Sequence, residues 1–264
     1  MAVAALMLGR GGSKGFPEKN LSIVLGRPLM AYPLLAAQAS KYVSYIYVST
    51  DSEAIMAAGR RYGAEIIVRP PELCTPEALG EDAFVHGYRV IRHRLSENGE
   101  TVELMVLLLA NAATVTGRLI DEGIEKLRAD PTLDSAVTVS RYNMWSPLRA
   151  RRLAEDGCLH PFFPFGAFAE SKTLSSHRDS QGDVYFADMG VSVVRPRCLE
   201  DIASGLLPQK WMGRRIAPIH SWGGCDVDYE WQIAGVEYWL RKQGREAPVD
   251  VNCDEPRTSS LPKA

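Results

Sequence analysis

A glycine-rich, basic loop near the N-terminus carries the residues best suited to chemistry. The segment 8–20 contains four glycines and three cations, Arg10, Lys14 and Lys19. Glycines permit positive φ and a close approach of the backbone to a ligand, so that successive N–H groups can form an anion-binding nest. The loop therefore predicts a polyphosphate site. Its predicted nucleotide-binding residues are Leu8, Gly9, Arg10, Gly11, Gly12, Ser13, Lys14, Lys19 and Asn20.

The spacing of this loop fits neither of two common nucleotide-binding motifs. The Walker A loop and the dinucleotide-binding fingerprint both require a glycine at the sixth position. Counting from Gly9 gives Lys14 at that position. The alternative interpretation is a solvated basic turn that follows a strand and binds nothing.

Two aspartates in the C-terminal part of the chain could hold a metal ion. Asp226 and Asp228 lie two residues apart on a segment predicted to be extended, which points both carboxylates to one side. Paired carboxylates facing a triphosphate suit Mg²⁺, which combines a few carboxylate oxygens with phosphate and water. The alternative is that Asp228 caps the helix predicted after it, and one residue could do both.

Arginines supply further candidates for holding anions. Arg69 stands at the exit of a predicted strand, before two prolines, where packing alone is one explanation for it. Arg149, Arg151 and Arg152 fall within four positions. Guanidinium groups pair bidentately with carboxylates and phosphates, so this cluster suits either an anion clamp or an exposed turn.

Alternating strands and helices are predicted to position these residues. The apolar patterns predict strands at 2–7, 45–48, 64–68, 103–109, 135–140 and 191–194. They predict helices at 28–40, 53–62, 79–96, around 120–127, at 198–204 and through 234–240. The fold class is therefore α/β, a doubly wound and mostly parallel sheet with ligand sites at the carboxyl ends of its strands.

Composition bounds the organisation of the chain. Its 264 residues, 46% hydrophobic and 23% charged, suffice for one large α/β domain. We predict a single domain over residues 1–245, an inserted arm at about 141–182, where periodicity is poor, and a C-terminal tail at 246–264.

Charge and cysteine content exclude several classes of partner. A formal net charge of −2 argues against broad binding of nucleic acid or anionic membranes. The sequence shows neither a membrane-spanning apolar run nor a signal peptide, so a cytoplasmic protein is expected. The five cysteines are scattered, and their spacing is typical neither of a zinc site nor of a disulfide framework.

The loop resembles that of the cytidylyltransferases that make CMP-activated acid sugars, the acylneuraminate or CMP-sialic acid synthetases. That family usually has Ala-Arg-Gly-Gly-Ser-Lys-Gly followed by Lys-Asn. Residues 10–15 and 19–20 match this pattern, and Gly9 replaces the alanine. The aspartate pair resembles the family's Asp-x-Asp-Thr motif, with Tyr229 in place of the threonine.

The resemblance implies a nucleotide-diphospho-sugar transferase-like, Rossmann-like fold and a CTP-dependent nucleotidyltransferase. It implies that Arg10, Lys19 and Asp228 are catalytic, and that Asp226 and Asp228 bind Mg²⁺ as the cofactor. Asn20 and Arg69 are the candidates for reading the cytosine. An acceptor oxygen would attack the α-phosphorus of CTP and release pyrophosphate, and no side chain stands out as general base.

The acceptor-binding residues are predicted from a weaker match. Residues 178–190 resemble the family's Arg-Gln-x-x-x-x-x-Tyr-x-x-Asn-Gly, with Arg178, Tyr185 and Gly190 corresponding and Met189 in place of Asn. The family's Gln-Pro-Thr-Ser-Pro-Leu-Arg loop is absent, and Ala110 takes the position of its Gln. The predicted acceptor-binding residues are Arg178, Tyr185, Asn111 and Arg149.

The identity of the acceptor stays open between two chemical classes. The family's usual acceptor is a nonulosonic keto-acid sugar such as a sialic acid. The alternative is a small phosphonate such as phosphonoformate, which would suit the arginine-rich segment at 149–152. A non-catalytic nucleotide-binding regulator is a third possibility. The resemblance also implies that the inserted arm forms a homodimer and brings cations into the partner's site.

Overall fold

A seven-stranded sheet forms the centre of the molecule. The computed structural model describes residues 1–12, 15–75, 77–167 and 175–245, and the side chains of Arg178 and Asp179 are not among those described. The strands are β1 Ala2–Leu8, β2 Ile23–Val24, β3 Arg27–Pro28, β4 Val43–Thr50, β5 Glu65–Val68, β6 Val102–Leu109, β7 Ser135–Arg141, β8 Arg151–Leu153, β9 Leu159–Pro161, β10 Tyr185–Val194 and β11 Ile216–His220.

Six α-helices are present in the described residues. They are α1 Ala31–Gln38, α2 Glu53–Arg61, α3 Gly80–Glu97, α4 Gly117–Ala129, α5 Pro196–Glu200 and α6 Ile233–Lys242. Two of them begin at a side-chain cap: Ser52 accepts a hydrogen bond from the N–H of Ile55, and Thr116 accepts one from the N–H of Leu119. None of the described helices is both long and apolar enough to cross a membrane.

The central sheet has the strand order β11-β7-β10-β6-β1-β4-β5. Only β10 runs antiparallel to its neighbours β6 and β7, and the other pairs are parallel. All seven residues of β1 are buried, as expected for a parallel strand covered on both faces. The predicted α/β class with a doubly wound, mostly parallel sheet is confirmed.

The strand order reverses at β1, and this reversal places the site. The chain runs from β1 outward through β4 and β5, then returns to add β6 on the other side of β1. Leu8 pairs with Ser49 on one side and with Leu109 on the other, so the carboxyl ends of three strands are level. Ligands of open α/β sheets bind in the crevice at such a reversal.

Two strands of the central sheet depart from the prediction. The edge strand β11 was not predicted, because its five residues include Pro218, which is tolerated only where a strand has a free edge. The strand predicted at 191–194 begins already at Tyr185, and its register shifts between Ala187 and Ser192. Met189 adopts a φ of 59° inside this bulge, which interrupts the alternation that identifies a strand.

The segment between β7 and β10 corresponds to the predicted insert, and its residues 168–174 lie outside the described residues. Its described part contains the hairpin of β8 and β9 together with short 3₁₀ turns such as Asn143–Trp145 and Pro147–Arg149. The tail at 246–264 lies outside the described residues.

A small hydrophobic core cluster joins an early part of the chain to its C-terminal helix. Its buried side chains come from the β2–β3 hairpin and α1 on one side and from α6 on the other. They are Val24, Leu25, Leu29, Tyr32, Ala113, Val227, Val236, Trp239 and Leu240. This cluster fixes the segment that carries Asp226 and Asp228 beside the glycine-rich loop.

Candidate functional site

A cleft of about 260 Å³ opens at the carboxyl ends of β1, β5 and β6. We call it the loop cleft, and its polar lining consists of Gly9, Arg10, Lys19, Asn20, Arg69, Gly80 and Asn111. Leu73, Leu79 and Leu109 contribute an apolar wall. The sequence assigned most of the polar residues to nucleotide binding, and the fold brings them together. Ser13 and Lys14 lie outside the described residues.

Two glycines of the loop are required by its geometry. Gly12 has a φ of +71°, which other residues rarely adopt. A Cβ on Gly15 would stand 3.1 Å from the backbone oxygen of Asp228, closer than a side chain is comfortably accommodated. The loop therefore packs directly against the aspartate motif, although more than 200 residues separate them in sequence.

Arg10 and Asn20 shape the loop from inside. The Nη1 of Arg10 donates to the backbone oxygen of Thr75 at 2.9 Å, so its guanidinium spans the cleft. Asn20 is buried, and its Nδ2 donates to the backbone oxygen of Arg10 at 3.2 Å. Asn20 therefore lines the cleft and also fixes the backbone of the loop at Arg10.

One backbone N–H of the loop already donates a hydrogen bond to a carboxylate. The N–H of Gly11 donates to Oδ1 of Asp51 at 3.0 Å, and Asp51 follows the end of β4. Nothing in the sequence around Asp51 indicated this contact. The bond shows that the loop presents a backbone N–H to an anionic oxygen, as a phosphate nest must.

The two halves of the predicted site meet in an ion pair. Nζ of Lys19 lies 2.6 Å from Oδ1 of Asp228, and the Lys19 side chain is only 14% exposed. The alternative role of Asp228 as a helix cap is wrong. The N-cap of the 3₁₀ turn before α6 is Tyr229, α6 has no side-chain cap, and the Asp228 carboxylate faces Lys19.

Asp226 is more buried than Asp228 and is held by Asn111. Nδ2 of Asn111 donates to Oδ2 of Asp226 at 3.4 Å and to the backbone oxygen of Val227 at 2.9 Å. Burial raises the pKa of Asp226, and the negative charge of Asp228 adds to that rise. A buried carboxylate beside a second negative charge is a place where a cation would be stabilised.

The residues present fit a magnesium ion bound together with phosphate. Within the described part of the chain, no group of three or more His, Cys, Asp or Glu side chains is arranged to hold a metal. Mg²⁺ does not require such a group, because it commonly takes one or two carboxylates and completes its shell with phosphate and water. In this structure the ammonium of Lys19 supplies the positive charge beside Asp228.

Arg69 is a buried cation that lines the loop cleft. It is 6% exposed, and its Nε and Nη2 donate to the Oγ and the backbone oxygen of Ser49, at 3.2 and 2.6 Å. Burial lowers the pKa of its guanidinium. In the described residues no carboxylate forms an ion pair with it, so an anionic ligand would compensate a charge that is otherwise costly to bury.

The predicted acceptor-binding residues do not form one group. Asn111 borders the loop cleft and Asp226. Tyr185 packs its ring against His220, and Arg149 donates to the backbone oxygen of Ser176 in the inserted segment. Neither lines the loop cleft, and the side chain of Arg178 is not described.

A second pocket, which the sequence did not reveal, has Asp226 in its lining. This aromatic pocket, about 170 Å³, is lined by Tyr142, Trp145, Phe186, Ala187, Asp188, Gly224, Cys225 and Asp226. Counting three residues from Tyr185 gives Asp188, the position that Asn has in the family's motif. By this count the interpretation that Met189 replaces the Asn was wrong: Met189 comes one residue later, with a φ of 59°, in the irregular stretch where four residues of β10, 188–191, lie opposite one residue of β7.

The arrangement is suited to handling a nucleoside triphosphate. Cations and backbone donors face one end of the cleft, and a pair of carboxylates faces the same loop from the opposite side. Such a site can neutralise phosphate charge and position a phosphorus atom for in-line attack, which is most of what nucleotidyl transfer requires.

Comparisons with known proteins agree with this interpretation. Residues 4–130 match the model of a family described as Cytidylyltransferase. The resemblance to cytidylyltransferases, predicted from the loop, is therefore confirmed for residues 4–130.

Characterised relatives match the chain over limited segments. An N-acylneuraminate cytidylyltransferase of Oncorhynchus mykiss is 44% identical over 82 residues, 31% of this chain and 19% of the relative. The N-acylneuraminate cytidylyltransferase of Escherichia coli O18:K1:H7 is 36% identical over 94 residues, 36% of this chain and 21% of the relative. The match thus spans about a fifth of the length of each of these two proteins.

Solved structures share the fold over nearly the whole chain. A CMP:2-keto-3-deoxy-manno-octonic acid synthetase complexed with CTP superposes with a TM-score of 0.63 at 15% identity. The superposition covers 92% of this chain and 100% of the other. At this identity the likeness shows the fold and no more.

Proposed function

We propose that this cytidylyltransferase-like protein transfers CMP from CTP to an acidic acceptor and releases pyrophosphate. The observation that carries the proposal is the meeting of Lys19 and Asp228 at 2.6 Å. It joins a basic, glycine-rich loop and an aspartate pair into one site at the reversal of the sheet. A nucleoside triphosphate with a divalent cation is the ligand whose charges complement both halves.

In each half of the site, a protein side chain already carries the same sign of charge as the part of the ligand that we place there. Asp51 accepts from the N–H of Gly11, where we place a phosphate oxygen. The Lys19 ammonium lies beside Asp228, where we place the divalent cation. With substrate bound, Lys19 and Arg10 would neutralise the triphosphate. Arg69 lies deepest and would contact the nucleotide from the end of β5.

Asp226 and Asp228 would hold Mg²⁺, which supplies charge neutralisation at the reacting phosphate. Asn111 would keep the Asp226 carboxylate in place through its hydrogen bond. The acceptor oxygen then forms a bond to the α-phosphorus, and the bond from that phosphorus to the bridging oxygen breaks. Pyrophosphate leaves with the electron pair, and the acceptor's proton passes to solvent.

The acceptor would occupy the aromatic pocket, whose Asp226 accepts a hydrogen bond from Asn111 in the lining of the loop cleft. We propose an acid sugar of the nonulosonic type as the acceptor, because the similar proteins are named for such substrates and ring faces pack well on sugars. A small phosphonate is the alternative, and the limited volume of about 170 Å³ favours it.

A screen for pyrophosphate release tests the proposal. Purified protein is incubated with Mg²⁺ and each of CTP, ATP, GTP and UTP, together with nonulosonic acids or small phosphonates. We expect release with CTP and one acceptor class. Binding of CTP without release in the presence of any acceptor would instead identify a nucleotide-binding regulator.

Replacing Arg10 with Ala is expected to lower kcat/KM about 100-fold, in the range seen when one charge-stabilising donor is removed. Both kcat and KM should change, because Arg10 is placed on the triphosphate in ground and transition states. Steady-state kinetics with CTP measure both. Arg60→Ala, on the exposed face of α2, is the matched control and should behave as wild type. Wild-type kinetics in a folded Arg10→Ala protein would remove Arg10 from the site.

We also propose that the inserted segment forms a homodimer. Leu153 and Leu159, on the β8–β9 hairpin, are 73% and 69% exposed, and Phe162 next to them is 54% exposed. The double variant Leu153→Ser, Leu159→Ser should sediment as a monomer, since it removes apolar contacts from that surface. Leu207→Ser, at a leucine 79% exposed outside the hairpin, should leave the dimer intact. One sedimentation coefficient for all three proteins would refute this interface.

A further inference from the structure

The aromatic pocket offers ring surfaces beside the reacting centre. Tyr142 and Phe186 lie with ring centroids 6.3 Å apart and an angle of 60° between their planes. Phe186 is 41% exposed, and Trp145, at the rim, is 65% exposed. In the described residues no lysine, arginine or histidine lines this pocket. The part of a ligand that enters it therefore meets π-faces and carboxylates.

Asp188 is a buried carboxylate in the lining of this pocket. It is 6% exposed, its Oδ2 accepts from Ser140 Oγ at 2.7 Å, and its Oδ1 accepts from the N–H of Gly190 at 3.2 Å. In the part of the chain that the structure describes, no cationic side chain pairs with it. A carboxylate can accept about four hydrogen bonds, so two neutral donors leave acceptor capacity and the whole negative charge uncompensated.

A purely architectural role does not account for this charge. The N–H of Gly224 donates to Ser140 Oγ at 3.0 Å, and Ser140 in turn donates to Asp188, which ties the aspartate motif to the bulge in β10. Both carboxylate oxygens accept a bond, from Ser140 and from the N–H of Gly190, which the single acceptor oxygen of an asparagine could not do. These neutral donors leave the negative charge at position 188 without a cationic partner among the described residues, and that charge is costly to bury.

Asp226, the other carboxylate of the pocket, already has a role. It is held by Asn111 and stands two residues from Asp228, so under the proposed function it faces the divalent cation. Asp188 is therefore left to interact with the acceptor. The ligand group that suits a buried carboxylate surrounded by aromatic rings is a cation, because ring faces attract positive charge.

We propose that the aromatic pocket binds a protonated amine of the acceptor, at the end remote from the oxygen that attacks the α-phosphorus. The ammonium group donates to Asp188 and lies against the rings of Tyr142, Trp145 and Phe186. This inference rests on the proposed nucleotidyl transfer and narrows its acceptor to an anionic molecule that also carries an ammonium group. An amino-bearing keto-acid sugar and an aminoalkyl phosphonate share this chemistry.

Matched acceptors test the inference. The first series is 2-aminoethylphosphonate, its 2-hydroxyethyl analogue and its 2-carboxyethyl analogue. The second is a keto-acid sugar carrying a primary amine, its N-acetyl derivative and the hydroxyl analogue. Pyrophosphate release with CTP and Mg²⁺ measures the KM of each acceptor. In one series the KM of the amine should be at least about tenfold lower than the KM of its two analogues. The series that shows this difference identifies the class of acceptor. Equal or better use of the neutral or carboxylate analogues in both series overturns the inference and leaves nucleotidyl transfer intact.

A binding measurement makes the test independent of turnover. Calorimetric titration of the same compounds is carried out with Mg²⁺ and the non-hydrolysable α,β-methylene analogue of CTP bound to the protein. Wild type should bind an amine more tightly than its hydroxyl analogue, and Asp188→Asn should lose that preference. Failure to bind either amine, or an unchanged preference in Asp188→Asn, overturns the inference. Absence of pyrophosphate release with every acceptor refutes the proposed function instead.

A rim variant guards against loss of folding in Asp188→Asn. Trp145→Leu changes an exposed ring, so the fold should tolerate it, and it should reduce the preference for the amine by a factor of about 2 to 5. Trp222→Leu removes an aromatic ring of similar exposure that does not line the pocket and should leave the preference unchanged. Equal behaviour of the two tryptophan variants would remove the rings from the proposed site.

Discussion

The Asp228→Asn variant is expected to lose about 100-fold or more of the Mg²⁺-dependent turnover while still binding CTP. Substitutions in the outer shell of metal sites already cost about 10- to 100-fold, and Asp228 is placed in direct contact with the ion. Asparagine keeps the shape of the side chain and removes the charge that attracts a hard cation. Initial rates over a range of Mg²⁺ concentrations, with CTP affinity measured separately, give both quantities.

Glu230→Gln is the matched control for this variant. Glu230 is an exposed acid two residues from Asp228, in the 3₁₀ turn before α6. It should retain wild-type rates and Mg²⁺ dependence. The metal assignment fails if Asp228→Asn is folded and nearly as active as wild type, with an unchanged dependence on Mg²⁺.

Replacing Lys19 with Met should change two properties in opposite directions. Turnover should fall about 100-fold, because a cation on the triphosphate is lost. Divalent-ion binding to the nucleotide-free protein should strengthen, because Lys19 no longer neutralises Asp228. Asp228 is 57% exposed, so this gain should stay within about fivefold, the equivalent of about 1 kcal/mol for a solvent-screened pair.

Mn²⁺ titration followed by electron paramagnetic resonance measures metal affinity without turnover. The control is Lys242→Met, at an exposed lysine in the last turn of α6, which should match wild type in both measurements. If Lys19→Met lowers turnover but leaves or weakens Mn²⁺ binding, Lys19 does not compete with the metal for Asp228.

The fold was largely predictable because its signals are local. The buried run of β1 and the apolar β6 read directly as strands, and Ser52 and Thr116 stand where helix caps belong. Hydrophobic periodicity and caps depend on neighbouring residues, so one sequence suffices to find them. The edge strand β11 escaped detection because it carries a proline and little of the pattern of a central strand.

The site was predictable where a motif is continuous in sequence. Arg10, Lys19, Asn20 and Arg69 line one cleft, as their assignment to one ligand requires. The bond from Gly11 to Asp51 and the ion pair from Lys19 to Asp228 depend on distant segments meeting, which no local spacing encodes. Asp188 was missed because the motif was aligned on Gly190, and the irregular register of β10 between Ala187 and Ser192 is not visible in the sequence.

The small core cluster between the β2–β3 hairpin and α6 has a consequence for the order in which the protein folds. It joins Val24 and Tyr32 to Val227 and Trp239, contacts that span about 200 positions of the chain. Contacts between such distant residues form late, because a long loop must close before they can contribute. During synthesis, β1 and the glycine-rich loop leave the ribosome long before the aspartates. Until α6 has been made and has docked, the nascent chain therefore has the glycine-rich loop without the two aspartates beside it, although every residue that lines the loop cleft has already been made.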